Sequence, residues 1–547
     1  MAAQIQCKCS CRTLGMRARR AMVLFNILDL AGVNRSIKQG ESSMKVVSKN
    51  MGKFLAIPFL LTVSVFPRWA FAADDFEAYK KQQQLGAQNI RAEFQQYKEK
   101  QDQEFADFLK GQWSEFDTFK GKVRIKEPKP KRIPVVTPAV PVGPTPAPVT
   151  PAPSPIVTAP TIQPVLPAPP LPQPKPVPVA ADMLEIMFYG NAVRYSFDPQ
   201  WKSYRLSGGA RPEAMSAFWT MMSGSKYEPT IQAVNEAHRD LKLDDWGGVT
   251  LWRSVVQALQ PERKSEQNLL LWYFLVKSGY DVRLGYAGDD VHLFVAMKQP
   301  VYATKYTKVG DQTYYAVLAA DHGDSIRSFY TYEASYPNKL MPLDIQSAAT
   351  GFTKTVSAQR VLAFDYKGKH IILNVPYDRR LVEYMDSFPQ SEFELYFDTD
   401  GSSLLRHGLL AELKKYTATM GDEEAVNFLL TFIQQSFPYK TDNEQFGHER
   451  YFFIEESLYF PYNDCEDRAV LLAWLVRELV GVKVIGLLYP GHMTTAVELK
   501  HVKPEFSTVN YHGNQYVIAD PTYLGASVGM AMPSYSRLKP TRVVEVH

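Results

Sequence analysis

The chain has 547 residues, 45% of them hydrophobic and 12% aromatic, which is enough apolar material for two or three domains with buried cores. The formal net charge is +4, but residues 1–72 carry 11 basic and 2 acidic side chains, so residues 73–547 carry 50 basic and 55 acidic ones, a net charge of −5. The main part of the chain therefore lacks the basic excess of a nucleic-acid-binding protein.

Residues 1–72 contain a pattern that is typical of a secretory signal peptide. Met51-Gly-Lys53 is a short basic start, the next 13 residues carry no charge, and Ala70-Phe-Ala72 supplies small residues at the positions that signal peptidase reads. We predict cleavage after Ala72 and a periplasmic location; an uncleaved signal would instead tether the protein to the inner membrane. Residues 1–43 fit no targeting pattern, so Met44 or Met51 is the alternative translation start.

Three of the four cysteines lie in the predicted leader and would be removed with it. Cys7, Cys9 and Cys11 lie in the leader, with no further Cys or His nearby to complete a metal site, and we predict no metal and no cofactor. The mature chain then has a single cysteine, Cys465, which cannot form a disulfide within the chain. It is either a small buried hydrophobe or a reactive thiol, and its neighbours decide between the two.

Residues 73–126 are predicted to form a helical segment with an aromatic stripe. Pairs of aromatic residues recur every 11 residues, close to three helical turns, and therefore stay on one face: Phe94/Tyr97, Phe105/Phe108 and Phe116/Phe119. The predicted helix, from Phe76 to Phe119, has no core of its own. We expect it to bind another copy, a neighbouring protein or the membrane surface, or else to fold back on the globular part of the chain.

Residues 127–181 are predicted to be a disordered, Pro-rich linker. Of the 38 prolines in the chain, 20 lie between Pro128 and Pro178, and this stretch has no plausible core. A polyproline II spacer would hold the C-terminal domains away from the N-terminal helix.

Residues 182–330 and 401–547 share a sparse internal repeat with an offset of 200 residues. Ser265-Glu266 corresponds to Cys465-Glu466, a helix-then-strand pattern follows in both, and His292 falls near the place of the second copy's histidine. We interpret the pattern as a duplication, with chance alignment as the alternative. Because serine replaces the cysteine, the first copy is predicted to be degenerate and non-catalytic.

Residues 331–400 are predicted to be a β-rich connecting region. Two apolar runs, 360–366 and 370–374, flank Lys367-Gly-Lys369, which is a hairpin signal. Residues 393–397 are predicted to form a further strand.

The segment around Cys465 contains the candidate nucleophile. Asn463 or Asp464 is a good N-cap before an apolar helical run, which places Cys465 at a helix N-terminus, where unpaired N–H groups and the helix dipole stabilise a thiolate. The acidic neighbours oppose that effect, so an imidazolium nearby would matter. His492 lies between two predicted strands and Asp520 ends a third. A cysteine, a histidine and a carboxylate in this order predict a catalytic triad.

Three motifs resemble those of the transglutaminase-like superfamily, in particular its bacterial cysteine proteinase type. They are Cys465-x-Asp467-x-Ala469, Gly491-His492 before a strand, and Asp520-Pro521-Thr522. The resemblance covers about residues 425–530 and, more weakly through the repeat, about residues 210–325.

This resemblance implies an α+β, papain-like fold in which the cysteine helix packs on an antiparallel sheet. It implies that Cys465 is the nucleophile, His492 the general base and acid, and Asp520 the group that orients the imidazole. Asp467 would be a structural part of the helix N-terminus. The oxyanion hole would include the Cys465 N–H, with Tyr462 or Gln445 as candidate side-chain donors. His407 and His448 match no motif and are expected to be surface or core residues.

Three functions remain open at this point. The leading hypothesis is a cysteine peptidase or amidase that acts on an envelope protein or peptide through a thioester. The second is acyl transfer to an amine through the same intermediate, as in a transglutaminase. The third is an envelope scaffold or binding protein that keeps the fold without the activity.

Overall fold

The computed structural model describes residues 73–111, 113–122, 129–131, 133–136, 177–180, 182–319, 322–334, 336–346 and 350–547. The predicted leader with Cys7, Cys9 and Cys11, and residues 137–176 of the predicted linker, lie outside these ranges. The chain divides into two units, 1–86 and 87–547. Of the first unit only the initial turns of one helix are described, and the other described elements belong to the second unit.

The described elements are those of an α+β protein, as predicted. The helices are α1 (Ala73–Leu109), α2 (Pro199–Ser203), α3 (Pro212–Ser223), α4 (Glu228–Asp240), α5 (Asp245–Leu259), α6 (Lys264–Lys277), α7 (Arg379–Met385), α8 (Phe393–Asp398), α9 (Ser403–Leu405), α10 (Ala411–Thr417), α11 (Asp422–Ser436), α12 (Asp442–Gln445), α13 (Ile454–Tyr459) and α14 (Cys465–Leu479). A π-helical turn, Arg406–Leu410, precedes α10.

The strands are β1 (Ser114–Asp117), β2 (Phe119–Lys120), β3 (Val177–Ala180), β4 (Met183–Phe188), β5 (Asn191–Ser196), β6 (Val282–Ala287), β7 (Asp290–Ala296), β8 (Lys305–Val309), β9 (Gln312–Tyr315), β10 (Ser328–Thr331), β11 (Ser357–Tyr366), β12 (Lys369–Asp378), β13 (Val484–Tyr489), β14 (His492–Val497), β15 (Thr508–Tyr511), β16 (Asn514–Ala519) and β17 (Arg542–Glu545). They form sheets in the orders β1-β10-β6-β7-β9-β8-β2, β3-β4-β5, β11-β12 and β15-β16-β14-β13-β17.

The predicted helix over Phe76–Phe119 ends at Leu109, so the helical prediction is wrong for its last ten residues. Residues 114–120 instead form β1 and β2, which pair antiparallel with β10 and β8 at the two edges of the seven-stranded sheet. In β1 only Phe116 is partly buried, while Ser114, Glu115 and Asp117 are exposed. Unpaired sheet edges accept such a segment, and this tertiary pairing outweighs the 11-residue spacing.

The C-terminal half of α1 docks on the first repeat region, which is the fold-back alternative of the sequence analysis. Phe105 is 2% exposed and lies 4.7 Å, ring centre to ring centre, from Trp219. The Ser216 hydroxyl donates to the Ala106 carbonyl at 2.6 Å, and Lys277 pairs with the buried Asp102. The linker therefore does not hold this helix away from the globular part, as the spacer hypothesis required.

Residues 129–136 also depart from the linker prediction. The described part of this segment packs on the cysteine domain, where Lys129 is 5% exposed and Val136 donates its N–H to the Leu524 carbonyl at 3.0 Å. At the other end of the predicted linker, Val177–Ala180 pairs with β4. The described residues of these two segments make ion-pair or backbone contacts that composition alone does not show.

The connecting region confirms one prediction and corrects another. β11 and β12 form the expected hairpin, with Lys367 and Gly368 at φ 47° and 75°, the left-handed conformations of a tight two-residue turn. The expected strand at residues 393–397 is the helix α8. Phe393, Tyr396 and Phe397 are buried in it at the i, i+3, i+4 spacing of a helix face.

The cysteine domain places one helix at its centre. Every residue of α14 from Cys465 to Val476 is buried, as expected for a helix that is covered on all sides. α14 packs on β13 and β14 of a five-stranded antiparallel sheet, which agrees with the expected arrangement of the cysteine helix. The first repeat region shows the same order, with α6 followed by the β6–β7 hairpin, although the duplication itself stays a prediction.

Candidate active site

The topology brings Cys465, His492 and Asp520 to one end of the cysteine domain. Cys465 is the first residue of α14, the chain reverses after Leu479, and β13 returns alongside the helix. β13 and β14 pair so that Tyr489 lies opposite His492. β16 runs antiparallel to β14 with Ala519 opposite Thr495, so Asp520 follows at the same end as His492.

A two-residue turn sets the position of His492. Pro490 and Gly491 link β13 to β14, and Gly491 has a φ of 69°, which a residue with a side chain rarely adopts. The Pro-Gly pair is the expected chemistry for such a turn. As a result His492 is the first residue of β14, rather than the end of a loop, and its side chain is 1% exposed.

Asp520 is held at both of its carboxylate oxygens. Oδ1 accepts the backbone N–H groups of Thr522 at 2.9 Å and Tyr523 at 3.3 Å, a side-chain turn that is common after aspartate. Oδ2 lies 2.9 Å from Nε2 of His492. The carboxylate is thus fixed by its own loop and hydrogen-bonded to the imidazole at Nε2.

The thiol and the imidazole are not hydrogen-bonded to each other in this structure. Cys465 is fully buried, and its Sγ donates to Oε2 of Glu466 at 3.1 Å. Nδ1 of His492 is buried and has no hydrogen-bond partner among the residues that the structure describes. Because Nε2 is engaged by Asp520, Nδ1 is the nitrogen that can accept a thiol proton. The hydrogen bond between His492 and Asp520 is therefore formed, whereas the thiol of Cys465 contacts Glu466 and not His492.

A lysine from outside the domain lies among the acidic residues next to Cys465. The Lys129 ammonium contacts four carboxylates: Asp442 at 3.1 Å, Glu449 at 2.9 Å, Asp464 at 2.5 Å, and Glu466. The side chains of Lys129, Asp464 and Glu466 are at most 1% exposed. The burial of charges on this scale requires such mutual pairing.

The electrostatics of this cluster keep Cys465 protonated. Burial, followed by the charges of Glu466 and Asp464, raises the pKa of the thiol well above its usual value, while Lys129 acts in the opposite direction. Burial also raises the pKa values of Asp442, Glu466 and Asp467 well above the usual range, and Asp464 adds to each shift. Burial alone would lower the pKa of Lys129, but Asp464, Glu466 and Asp442 raise it, so its ammonium stays charged.

Two residues brace the Cys465 helix and the Asp520 loop. Arg468 is 1% exposed and donates to the carbonyls of Pro521, at 3.3 Å, and Phe437. Gln434 on α11 donates to the Asp520 carbonyl at 3.3 Å and accepts from Gly525 at 2.9 Å. Asp467 closes the helix N-terminus by accepting the N–H groups of Asp464 and Phe452, each at 3.1 Å, which is the structural role that its motif position implied.

The cluster also offers possible metal ligands. Ligand atoms lie within 4.8 Å of one another in three overlapping sets: Asp464/Cys465/Glu466, Asp442/Asp464/Asp467 and Asp442/Glu449/Glu466. Carboxylate oxygens suit hard divalent cations. Lys129 supplies positive charge at the same oxygens, and the expectation of a metal-free site stays a prediction.

The remaining predicted residues have other surroundings. The Tyr462 ring lies 5.2 Å from Nζ of Lys440, and Gln445, the last residue of α12, has a buried Oε1 without a hydrogen-bond partner in the described part of the chain. Their oxyanion roles stay predictions. His407 and His448 are exposed.

In the first repeat region, Ser265 and Gln267 take part in structural hydrogen bonds. Ser265 accepts from the Val291 N–H at 3.2 Å, and Gln267 donates to the Gln260 carbonyl at 2.6 Å. His292 is half-buried in β7 opposite Gly285. The contacts of Ser265 and Gln267 are structural, which suits the predicted non-catalytic copy.

Sequence reasoning missed Lys129, Asp442, Glu449 and Arg468. Lys129 lies in a proline-rich run that predicted a linker. The signal that could have indicated it is the set of three acidic residues around Cys465, because buried carboxylates require a positively charged partner. Arg468 directly precedes the apolar run 469–476 of α14, and an arginine is rarely fully buried unless it is paired.

Comparison of the chain with protein-family models, with curated proteins and with solved structures gives no match in any of the three searches. Among the described residues, no helix has both the length and the apolar character that crossing a membrane requires.

Proposed function

We propose that the chain is a thiol hydrolase, a cysteine peptidase or amidase of the transglutaminase-like type, that acts on a protein or peptide of the cell envelope. The observation that carries the proposal is the buried hydrogen bond between His492 and Asp520, formed at the same end of the sheet as the N-terminus of the Cys465 helix. A histidine oriented by a carboxylate beside a cysteine at a helix N-terminus is a recurrent arrangement for nucleophilic catalysis.

The chemistry follows from these groups. Nδ1 of His492 takes the proton of the Cys465 thiol, and Sγ attacks the carbonyl carbon of an amide. The C–N bond breaks as the imidazolium returns the proton to the leaving amine, which gives a thioester and a free amine. Water then opens the thioester with the imidazole as base. Asp520 holds Nε2 of His492 throughout.

A small cavity lies beside these groups. It has a volume of about 120 Å³ and is lined by His492, Asp520, Tyr535 and Met532, among others. The Tyr535 ring stacks on the imidazole at a centre-to-centre distance of 4.8 Å. Cys465 itself is fully buried, so the reaction requires an opening of the acidic side of the site.

The proposal is tested with an activated ester as a generic acyl donor. The full-length chain is incubated with p-nitrophenyl acetate, and both nitrophenol release and acetylation of the Cys465 peptide are followed, the latter by mass spectrometry. We expect acetylation at Cys465 that falls on the order of 10²-fold or more in His492→Ala, the range for the loss of a general base. His370→Ala is the matched control, since His370 pairs with Asp365 at 2.8 Å on the exposed β-hairpin.

Equal acetylation rates in wild type and His492→Ala would contradict the proposed function. Addition of a primary amine distinguishes the two reactions that share the thioester. A hydrolase yields acetate, whereas an acyl transferase yields the acetylated amine in proportion to the amine that is added.

A further inference from the structure

A segment from far upstream in the chain lies against the candidate active site. Residues 129–136 read Lys-Pro-Lys-Arg-Ile-Pro-Val-Val, and 129–131 and 133–136 are described. Lys129 and Ile133 each precede a proline, which biases both towards extended backbone. An extended strip of peptide is the form in which substrates and inhibitory segments lie along a protein surface.

One end of the segment is anchored by its lysine. Asp464 and Glu466, the residues directly before and after Cys465, both contact the Lys129 ammonium, and Asp442 and Glu449 complete the acidic pocket. Glu466 links the two groups, since Oε1 accepts from Lys129 while Oε2 accepts from the Cys465 thiol. The position of Lys129 is therefore coupled directly to the thiol.

The other end is anchored by its backbone. Val136 donates to the Leu524 carbonyl at 3.0 Å, and Leu524 donates to the Pro134 carbonyl at 3.2 Å, so that Val135 and Leu524 form a parallel β-bridge. Leu524 lies four residues after Asp520. Val136 also packs with the apolar cluster of Tyr523, Ala526 and Met532. The segment thus contacts the domain both next to Cys465 and next to the Asp520 loop.

We propose that this surface is a binding site for an extended peptide that carries a lysine, and that the chain's own segment 129–136 occupies it in cis and keeps Cys465 closed. The proposal rests on the proposed function for its meaning, because it identifies the class of peptide that the active site accepts. The lysine enters the acidic pocket, and the backbone five to seven residues further on pairs with the chain at Leu524.

Lys129 is a binding group in this arrangement and not an acyl acceptor. An amine must lose its proton before it can attack a thioester, and Asp464, Glu466 and Asp442 hold the Lys129 ammonium in its charged form. The four carboxylates around a single ammonium explain why the pocket selects a basic side chain.

The closed state is tested by the reactivity of the thiol. The full-length chain is treated with iodoacetamide at pH 8, and alkylation of the Cys465 peptide is timed by mass spectrometry. Loss of the Lys129 charge alone raises the pKa of the thiol and slows alkylation, so faster alkylation in Lys129→Gln reports opening of the site. We expect alkylation to be about tenfold faster or more in this variant, because one tenfold step corresponds to the loss of about 1.4 kcal/mol of closing free energy. Lys131→Gln makes the same change of charge at an exposed neighbour and is expected to alkylate within about twofold of wild type.

A second variant acts at the opposite end of the segment. Val136→Pro removes the N–H that donates to Leu524 without changing any charge in the pocket. We expect faster alkylation in this variant also. If Val136→Pro and Lys129→Gln both alkylate at the wild-type rate, the segment does not close the thiol and the proposal is overturned.

Peptide addition separates binding from simple misfolding. A synthetic peptide with the sequence of residues 129–136 is added to Lys129→Gln, and it is expected to restore slow alkylation in a saturable manner. The same peptide with glutamine at its first position should give at least tenfold weaker protection. If neither peptide protects, Lys129 is only a structural ion-pair partner and no peptide site exists.

These outcomes are independent of catalysis. If the peptide protects Cys465 while acetylation by p-nitrophenyl acetate is unaffected by His492→Ala, the peptide site stands and the hydrolase proposal fails. If acetylation depends on His492 but the variants and peptides leave alkylation unchanged, the enzyme stands and the peptide site fails.

Discussion

Lys129 and Cys465 are joined through a single carboxylate. One oxygen of Glu466 accepts from the Lys129 ammonium and the other accepts from the Cys465 thiol at 3.1 Å. A nucleophilic thiol needs its proton removed, yet in this arrangement a buried anion holds the proton in place. In this arrangement Cys465 is therefore a protonated thiol. Movement of Lys129 would change the electrostatic potential at Sγ and with it the pKa of the thiol.

Glu466→Gln should lower the pKa of the Cys465 thiol. Burial raises that pKa, and the Glu466 charge is the next contribution, which the neutral amide removes. The thiolate is measured by its ultraviolet absorbance during a pH titration of the full-length chain, with Cys465→Ser subtracted to remove the signal of the other cysteines. Glu505→Gln, at an exposed position of the same domain, is the control and should leave the titration unchanged. A thiol pKa that rises in Glu466→Gln would contradict this account of the cluster.

Asp520→Asn should abolish the correct orientation of His492 without unfolding the domain. The amide oxygen can still accept from Thr522 and Tyr523, so the loop is retained. An amide that donates to Nε2 instead moves the imidazole proton to Nδ1, which can then no longer accept the thiol proton. Acetylation of Cys465 should fall on the order of 10⁴-fold, the loss given by the same change in a Ser-His-Asp triad.

Asp365→Asn provides the matched control for this change. It alters the exposed His370 pair and should leave acetylation as in wild type. Asp520→Asn is checked by urea unfolding, and retained stability together with retained activity would show that Asp520 does not orient the base.

The sequence predicted those parts of the site that depend on local pattern. The helix N-terminus at Cys465 and the strands around His492 follow from capping chemistry and periodicity within about 30 residues, and of the two N-cap candidates, Asn463 and Asp464, the structure has Asp464. The contacts of Lys129 could not be predicted in this way, because its partner Glu466 lies 337 residues away in sequence. No local signal distinguishes a lysine of a proline-rich linker from one that enters a buried acidic pocket.

In the fold, too, elements whose partners are near in sequence were predicted and elements whose partners are distant were not. The β11–β12 hairpin was predicted because its turn residues lie between its two strands. The strand β1 was not, because its partner β10 lies more than 200 residues later and the sequence spacing favoured a helix. In α8, the buried surroundings of Phe393 and Phe397 decide in favour of a helix over the strand propensity of aromatic residues.

Lys129→Gln should destabilise the protein more at pH 8 than at pH 5. The folded-state pKa values of Asp442, Glu466 and Asp467 lie above the ordinary values of 3.8 and 4.5, mainly through burial, so the stability of the folded state falls as the pH rises above about 4 and these groups lose protons. Lys129 lowers all three pKa values, and its removal raises them further. The loss of one partner of a buried ion pair costs about 3–5 kcal/mol when the carboxylates are charged.

Urea unfolding at the two pH values measures this difference. At pH 5 the carboxylates of Lys129→Gln can bind protons, so the destabilisation should be smaller than at pH 8. Lys131→Gln, whose side chain is exposed, should stay within about 0.5 kcal/mol of wild type at both. A destabilisation of equal size at pH 5 and pH 8 would contradict this prediction and show that the carboxylates remain charged in the folded variant at pH 5.

Phe105→Ala and Phe94→Ala test whether the helix α1 is part of the folded core. Both phenylalanines belong to the same aromatic stripe, but Phe105 is 2% exposed against Trp219 and Tyr336, whereas Phe94 is 43% exposed. Truncation of a buried phenylalanine costs about 3–5 kcal/mol because contacts are lost and a cavity remains. Phe94→Ala should change the free energy of unfolding by less than about 0.5 kcal/mol, as at other surface positions. Equal effects of the two substitutions would mean that α1 does not dock, and the aromatic stripe would then be free for a partner over its whole length.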